Sequence, residues 1–342
     1  MMTTTTSSPA LLFSFLSYKP SPPKSSFHLF QLRNSKPVNN AITSSHCFSP
    51  KPPVPKQSTL LCYADRRKPT ALSTASSADG NLRTVLRTAL WVAEGVYILW
   101  LFLLPYAPGD PAWAISSDTI NAVLGLSLNF FFILPLLNFG YILLILVVGI
   151  HLMEAPLLHP MSEGLFNFVI GWTLMFAPLL FTDRKRDRFK GSLDVLWGMQ
   201  MFLTNTFLIP YMAIRLNDAD DDTVPSKCSQ LGSVMTNGAS VVGLIGGGVC
   251  LLSLLWAFFG RTDANFGGIA ERWEFLVGYL GSERLAYAFI WDIGLYIIFQ
   301  PWLIGDNLQN IQENKVVLVK YLRYIPVVGL VSYLLCLEPE EV

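Results

Sequence analysis

The chain has 342 residues, of which 52% are hydrophobic and 14% charged, and its 24 basic residues balance its 24 acidic ones. Because soluble domains average about 25% charged residues, this composition excludes an ordinary soluble protein and indicates a membrane protein. The sequence has no basic excess of the kind that nucleic acid binding requires, so we expect the lipid bilayer, and not nucleic acid, as its partner.

Residues 1–64 contain no Asp or Glu, are rich in Ser, Thr and Pro, and carry six scattered basic residues. Basic, hydroxyl-rich, acid-free leaders are typical of organelle transit peptides. The Met-Met-Thr-Thr-Thr-Thr-Ser-Ser opening favours a chloroplast over a mitochondrion. We therefore predict a disordered chloroplast transit peptide at 1–64. A disordered cytosolic tail, which would have a similar composition, is the alternative.

Behind the leader we predict a polar tail at 65–87, a transmembrane helical domain at 88–337 and an acidic tail at 338–342. A bilayer core of about 30 Å needs about 20 apolar residues per helix. On that basis the sequence predicts an all-α, polytopic transmembrane bundle of eight helices. The predicted spans are 89–105, 120–136, 139–154, 162–181, 192–214, 238–259, 284–304 and 321–337.

The longest apolar run, 120–153, contains no charged side chain. As a single helix it would be about 50 Å long, well beyond the thickness of a bilayer core. Pro135 and Gly140 mark a step at which one helix can end and another begin. We therefore predict two spans here. One long kinked helix, which would give seven spans in all, is the alternative.

Basic residues predict the orientation of the bundle. The densest basic cluster is 183–190, and Arg83 and Arg87 lie in the N-terminal tail. Positive charge in short loops stays on the side from which insertion occurs, so we expect both segments in the stroma, with an even number of spans between them. The acidic run 218–222 follows the fifth predicted span and is therefore predicted on the opposite side.

Two acids, Glu94 and Asp292, lie well inside otherwise apolar predicted helices. An ionisable side chain in a membrane costs several kcal/mol unless it is paired or hydrated, so each is a candidate for a functional site or a hydrogen-bonded structural group. Asp194, Asn129 and Asn205 add polar groups to the predicted spans. No Lys or Arg lies at comparable depth in the sequence, so we expect Glu94 and Asp292 to be protonated, bonded to amides or associated with a cation.

His151 and Glu154 form a second candidate site. At positions i and i+3 they share a helix face, as in half of a carboxylate-bridged metal site. Pro156 interrupts the helix directly afterwards, and His159 is the only other histidine behind the leader. We therefore predict a His–Glu pair at the membrane surface, with no metal and no cofactor.

The sequence lacks the common signatures of pumps and hydrolases. It contains no Gly-x-x-x-x-Gly-Lys-Ser/Thr phosphate loop. It also lacks a Gly-x-Ser-x-Gly elbow and a His-Glu-x-x-His zinc motif. Its cysteines are too scattered to indicate a disulfide framework or a metal knuckle. Nothing in the motifs therefore predicts an enzyme.

The C-terminal part resembles a known family. The matching elements are 282–286 (Ser-Glu-Arg-Leu-Ala), Trp291, Asp292, Phe299, Asp306 and 325–329 (Ile-Pro-Val-Val-Gly). They are similar to elements of the small plastid membrane-protein family required for neoxanthin formation from violaxanthin. The resemblance implies a role connected with pigments or isoprenoids.

Three functions are compatible with the sequence. The first is a non-catalytic plastid membrane factor that organises membranes, pigments or complexes, with pigments or other membrane proteins as partners. The second is a secondary transporter or permease of the inner envelope or thylakoid that uses Glu94 and Asp292. The third is an enzyme that acts on a membrane-dissolved isoprenoid or carotenoid, with a carboxylic acid as its proton donor.

Overall fold

The computed structural model describes residues 72–135, 156–217, 229–261 and 264–338. Within these ranges the regular structure is helical, and the only extended pairing is an isolated bridge between Ile311 and Leu337. The predicted all-α fold is therefore confirmed. The predicted transit peptide, the span 139–154 and the acidic run 218–222 lie outside the described residues.

Eleven α-helices follow one another in the described ranges. A π-helical turn, Leu99–Leu103, continues the first of them. The helices are α1 Leu72–Ile98, α2 Ser117–Leu128, α3 Pro160–Phe181, α4 Leu193–Leu203, α5 Asn205–Ile214, α6 Gln230–Asn237, α7 Ala239–Phe259, α8 Ile269–Ser282, α9 Arg284–Asp306, α10 Val316–Leu322 and α11 Val328–Leu335.

Four of these helices are long and apolar enough to cross a membrane. They are the stretch Gly80–Leu103 together with α3, α7 and α9. They coincide with four of the predicted spans, 89–105, 162–181, 238–259 and 284–304. Outward-facing Leu, Val and Ile side chains on Gly80–Leu103, α7 and α9 give the bundle a surface compatible with lipid.

The predicted span 120–136 is not one continuous helix. In 120–136 the described chain forms α2 and then a short 3-10 turn, Phe130–Phe132, with a positive φ at Phe131 and Phe132. Whether 120–154 holds one helix or two falls on residues 136–155, outside the described part. The chain on either side of that gap is held together, because the Asn129 amide donates to the Pro156 carbonyl at 3.0 Å.

The central helix of the bundle is α3, which is buried along most of its length. It runs parallel to α9, since Phe166 packs near Phe289 and the Thr173 hydroxyl lies 2.6 Å from that of Tyr296. It runs antiparallel to α7, because the start of α3 lies against the end of α7. A β-carbon at Gly246 of α7 would lie 2.8 Å from the Gly171 carbonyl oxygen, so only glycine allows this close approach.

The two ends of the bundle carry different residues. At one, called here the Asp183 end, the C-termini of α3, α5 and α9 meet through Asp183, Arg215 and Asp306. At the other, the Glu163 end, the start of α3 meets the end of α7 through Glu163 and Arg261.

The predicted fifth span, 192–214, does not cross the bundle. It is divided into α4 and α5 by Thr204, whose φ of 36° and ψ of −109° are not helical. Helices of 11 and 10 residues are about 15 Å long, half of what a bilayer requires. The segment before α4 and the segment after α5 meet at the Asp183 end, where Arg188 donates to the Arg215 carbonyl at 2.7 Å. The pair therefore forms a re-entrant hairpin with its tip at Thr204.

The predicted eighth span, 321–337, is also wrong as a single helix. The chain forms α10 and α11, separated by a bend at which Val327 has a φ of 63°. The two ends of this segment lie together, because Gln312 N donates to the Cys336 carbonyl at 3.1 Å. The tip is fixed from α9, where the Gln300 amide donates to the Arg323 and Ile325 carbonyls at 2.9 and 3.0 Å. This is a second re-entrant hairpin.

These hairpins correct the predicted orientation of one loop. The two basic segments do lie together, since Arg87 donates to Asn217 at 3.0 Å, next to the Asp183–Arg215 pair. However, a fifth crossing would place Asn217, directly before the acidic run 218–222, at the opposite end of the bundle. Because α4 and α5 return to where they began, the chain reaches Asn217 at the Asp183 end. The predicted crossing by 192–214 is therefore wrong, and 218–222, which were predicted on the opposite side, lie outside the described residues.

A single arginine completes the end of α1. The Arg284 guanidinium, at the start of α9, donates to two carbonyl oxygens at the end of the π-helical turn, which have no helical partners, and to three carbonyl oxygens of the loop that follows. The five distances are between 2.9 and 3.3 Å, to Leu101, Leu104, Ala107, Pro108 and Gly109.

Candidate functional site

The tip of the first hairpin lies against Asp292, about midway along α9. The Asn205 amide donates to the Asp292 Oδ1 atom at 2.7 Å, and the Tyr97 hydroxyl of α1 donates to the same oxygen at 2.8 Å. The Thr204 hydroxyl also lies beside this carboxyl group. Asp292 is 2% exposed, so in this conformation three neutral side chains surround an acid that is shielded from water. We call Tyr97, Thr204, Asn205 and Asp292, together with Gln200 one turn before Thr204 and beside Tyr296, the Asp292 cluster.

Several polar atoms in and beside this cluster have no hydrogen-bond partner. They are both amide atoms of Gln200, the amide oxygen of Asn205, the hydroxyl of Thr206 and the Glu94 Oε2 atom. Gln200 and Asn205 are 0% exposed, and Glu94 is 5% exposed. Leaving a buried polar group unpaired costs about 1–3 kcal/mol. Such groups are rare in natural proteins, and a concentration of them beside a buried acid indicates a site for a ligand.

A polar stripe continues along α9 from Asp292 towards the Asp183 end. One turn on, Tyr296 contacts Thr173 of α3, and Gln200 lies beside the Tyr296 hydroxyl without a hydrogen bond of ordinary geometry. Another turn on, Gln300 accepts from the Trp172 indole at 3.0 Å. Asp292, Tyr296 and Gln300 are at positions i, i+4 and i+8 of α9. They therefore lie on one face of this helix, and that face holds both hairpin tips.

The Asp183 end is closed by a fully paired ionic network. Arg215 binds both Asp183 oxygens at 2.9 Å through two nitrogens of its guanidinium, and both residues are 0% exposed. Tyr211 and Asn307 donate to the same carboxylate at 2.7 and 3.0 Å. Burial by itself would raise the pKa of Asp183, but the charge and hydrogen bonds of Arg215, with those of Tyr211 and Asn307, lower it below its ordinary value. Asp183 is therefore an ionised structural group.

The Glu163 end has a matching pair. Arg261 binds Glu163 at 2.6 and 3.1 Å, and the Trp256 indole donates to the Glu163 Oε2 atom at 2.7 Å. Asn129 also donates to this carboxylate, and Arg261 donates to the Pro156 carbonyl at 2.8 Å. One buried ion pair thus lies at each end of α3, whose 22 residues correspond to about 33 Å.

The predicted site residues lie in four places: in or beside the Asp292 cluster, near the start of α4, at the Glu163 end, and outside the described residues. Asp292 and Asn205 are in direct contact, and Glu94 lies on the buried side of α1, one turn before Tyr97. Asp194 is elsewhere, because it accepts from Ser229 at 2.5 Å near the start of α4. Asn129 belongs to the Glu163 end. His151 and Glu154 fall outside the described residues.

Sequence reasoning missed the residues that pair at the two ends. In the sequence, Asp183 belongs to the basic cluster 183–190, Glu163 is the second residue of the predicted span 162–181, and Arg215 and Arg261 lie just beyond the ends of predicted spans. A signal existed for the hairpin tip, because Gln200, Thr204, Asn205 and Thr206 place four polar side chains within seven positions of an apolar run. A continuous membrane helix seldom carries so many.

Two of the residues that carry the family resemblance have structural roles. Arg284 caps the end of α1, and Asp306 accepts from Arg215 and Lys185 at 3.0 and 2.8 Å. Trp291 is 47% exposed, on the outer side of α9. Of the residues that carry the resemblance, only Asp292 belongs to the Asp292 cluster, where neighbouring side chains have polar atoms without a hydrogen-bond partner.

Comparison of the sequence with protein-family models and with curated proteins, and of the fold with solved structures, finds no significant match.

Proposed function

We propose that the protein is a permease-type carrier that binds a small polar solute at the Asp292 cluster. The observation that carries this proposal is the broken hairpin whose tip, Thr204–Asn205, meets a buried carboxyl group midway along α9. Irregular backbone at membrane depth is tolerated where it is buried in protein or lines an aqueous cavity. In carriers, discontinuous helices of this kind form the substrate and ion sites near the midplane.

The distribution of acids supports a carrier over a purely organising role. An organising factor needs only acids that are individually paired, as Asp183 and Glu163 are. Asp292 instead lies among polar atoms that are not fully used, including those of Gln200 and Asn205. A group that binds and releases a solute needs such spare hydrogen-bonding capacity, whereas a structural core loses stability by it.

The two ion pairs suit a carrier in another respect. They lie at opposite ends of α3, with the Asp292 cluster between them in depth. Ionic contacts at the two ends of a bundle can open one at a time while the site between them stays in place. A carrier requires two such states, each open to one side of the membrane.

The first experiment asks whether water reaches the cluster. Single cysteines would replace Asn205 at the hairpin tip and Ala177, a 0% exposed residue of α3, in a chain whose own cysteines are replaced. In proteoliposomes we expect a charged, membrane-impermeant thiol reagent to modify position 205 and to leave position 177 unmodified. A silent structural bundle would protect both positions, and that result would rule out the carrier.

The second experiment measures uptake. Proteoliposomes containing the wild-type chain would be compared with Asp292→Asn and with Asp194→Asn for uptake of a panel of radiolabelled ions, amino acids, organic acids and sugars. Asp194→Asn makes the same chemical change on the first hairpin, away from the cluster. We expect Asp292→Asn to abolish the uptake of one class of solute and Asp194→Asn to retain it. An enzyme acting on a dissolved isoprenoid would show no uptake, but would convert pigment in the vesicles.

We also propose the location of the carrier. The acid-free leader 1–64 supports import into the chloroplast, and the apolar helices support residence in the inner envelope or the thylakoid, with the basic Asp183 end in the stroma. Pigments or other membrane proteins are candidate partners. A fluorescent protein fused behind residues 1–64 should enter chloroplasts, and its retention in the cytosol would contradict this part of the proposal.

A further inference from the structure

We infer that the Asp292 cluster is a binding site for a small monovalent metal cation such as Na⁺ or K⁺. This inference rests on the proposed carrier function, because it assigns the chemical class of an ion that the carrier binds. It depends on the chemistry of the donor atoms, on the balance of charge and on the break between α4 and α5.

The available donor atoms are oxygens. Gln200 and Asn205 each have an amide oxygen without a partner, and the Asp292 carboxyl group accepts from Asn205 and Tyr97. The Thr204 hydroxyl oxygen lies beside that carboxyl group. Carboxylate, amide and hydroxyl oxygens are the ligands of hard cations, whereas transition metals favour imidazole and thiolate.

The negative charge of the Asp292 carboxylate requires one positive charge to balance it. Every side chain that contacts Asp292 in the described part of the chain is neutral. The nearest buried ion pairs use their charges fully, because Arg215 is bound to Asp183 and Arg261 to Glu163. A carboxylate buried without a counter-charge costs several kcal/mol. One monovalent cation would neutralise Asp292, whereas a divalent cation would leave an excess positive charge.

The break in the hairpin adds backbone oxygens to the same place. The last carbonyls of α4 have no partner within that helix, and the negative end of the helix dipole lies there. The following residue, Thr204, has a backbone conformation that ends α4 and directs Asn205 towards Asp292. Gln200 lies one turn before the break, so the amides with spare atoms flank it on both sides.

The inference can be tested by thermal unfolding of the purified full chain in detergent. The protein would be unfolded in NaCl, KCl or LiCl, and in N-methylglucamine chloride of equal ionic strength as the inert reference. We expect one alkali cation to raise Tm saturably, by roughly 5 °C at about 100 times its dissociation constant. Equal Tm values in all four salts would overturn the inference.

Two variants and one control connect the shift with the cluster. Gln200→Leu removes two buried polar atoms that have no hydrogen-bond partner. If Gln200 has only a structural role, the variant should be at least as stable as the wild type, and the cation should raise its Tm by the same amount. The inference predicts that the cation shift is lost in Gln200→Leu and in Asp292→Asn. Asp194→Asn changes a carboxyl group that Ser229 holds outside the cluster, so it should keep the full shift.

Gln200→Leu also guards against misfolding, since it should fold at least as well as the wild type. A wild-type shift that persists in Gln200→Leu and Asp292→Asn would place the cation elsewhere and overturn the inference. A different result would contradict the carrier proposal, namely that the thiol reagent does not modify position 205. If the reagent does modify position 205 but no cation raises Tm, only the cation site is refuted.

Discussion

Arg215 binds Asp183 through two hydrogen bonds of 2.9 Å, although the sequence between them, 192–214, is long and apolar enough for a membrane span. The contact requires that this stretch turn back on itself, and it does so at Thr204. The turn brings Asn205 to Asp292. The ion pair at the end of the bundle and the polar cluster inside it are therefore two results of the same hairpin.

Removal of one member of the buried pair should strongly destabilise the protein. We expect Arg215→Met to lower the free energy of unfolding by about 3–5 kcal/mol, because it leaves the Asp183 carboxylate buried without its charge partner. Lys185→Met is the matched control. It removes the contact of Lys185 with Asp306, in which the side chains are 25% and 29% exposed, and should cost at most about 1 kcal/mol. Equal losses of unfolding free energy in the two variants, measured by thermal unfolding, would show that the buried pair stabilises the protein no more than the exposed pair does.

The side on which each loop lies can be measured directly. Single cysteines at positions 190 and 230, on either side of the first hairpin and its following loop, should be labelled from the same face of the membrane. A cysteine at position 274, in α8 at the Glu163 end, should be labelled from the opposite face. If 190 and 230 were labelled from different faces, the segment 192–214 would cross the membrane and the hairpin would be refuted.

Neighbouring glycines of α7 should differ in their tolerance of a methyl group. At Gly246 a β-carbon would lie 2.4 Å from Met175 Cγ and 2.8 Å from the Gly171 carbonyl, so Gly246→Ala should cost about 1–3 kcal/mol. At Gly248 no atom lies within 4 Å of that position. Gly248→Ala should be neutral or slightly stabilising, since alanine favours the helix. The melting temperatures of the two variants in detergent test this difference.

His159 predicts a dependence of stability on pH. Its ring stacks on Phe275 and its Nδ1 atom accepts from Met161 N, and burial together with the positive Arg272 lowers its pKa from 6.5 to about 4. The unfolded chain therefore binds a proton at a pH at which the folded chain does not. The stabilisation is complete above pH 6.5 and is lost as the pH falls through about 4.

The loss should amount to about 1–2 kcal/mol after allowance for partial solvent screening. His159→Phe keeps the stack on Phe275 but cannot titrate. The difference in unfolding free energy between wild type and variant should therefore change between pH 6.5 and 4 and stay constant above pH 7. A difference that stays constant over the whole range would contradict this role of His159.

Hydropathy predicted the helical class, and four of the eight spans that it predicted are long helices, because the length and apolarity of a segment are properties of that segment alone. It did not predict either hairpin. Whether an apolar run crosses or returns depends on one residue, Thr204 in the first case and Val327 in the second, and on a side chain of α9 that receives the tip. Those partners are far away in sequence, so no local pattern reveals them.

The candidate site was predictable in part for the same reason. Asp292 and Glu94 were found because charge inside an apolar run is visible in the sequence. That Asn205 contacts Asp292, whereas Asn129 contacts Glu163, could not be read, because both are amides in similar surroundings. The charged pairs at the two ends were missed because residues that flank an apolar run usually lie in water.

The re-entrant hairpins also imply an order in which the protein is made. The tip of the first hairpin is rich in polar groups and finds its partner on α9, which leaves the ribosome only after three further helices. The second hairpin follows α9, so Gln300 is already in place when its tip forms. The contact of Asn205 with Asp292 therefore forms only after the last third of the chain has been made, so the middle third completes its folding against helices that follow it in the sequence.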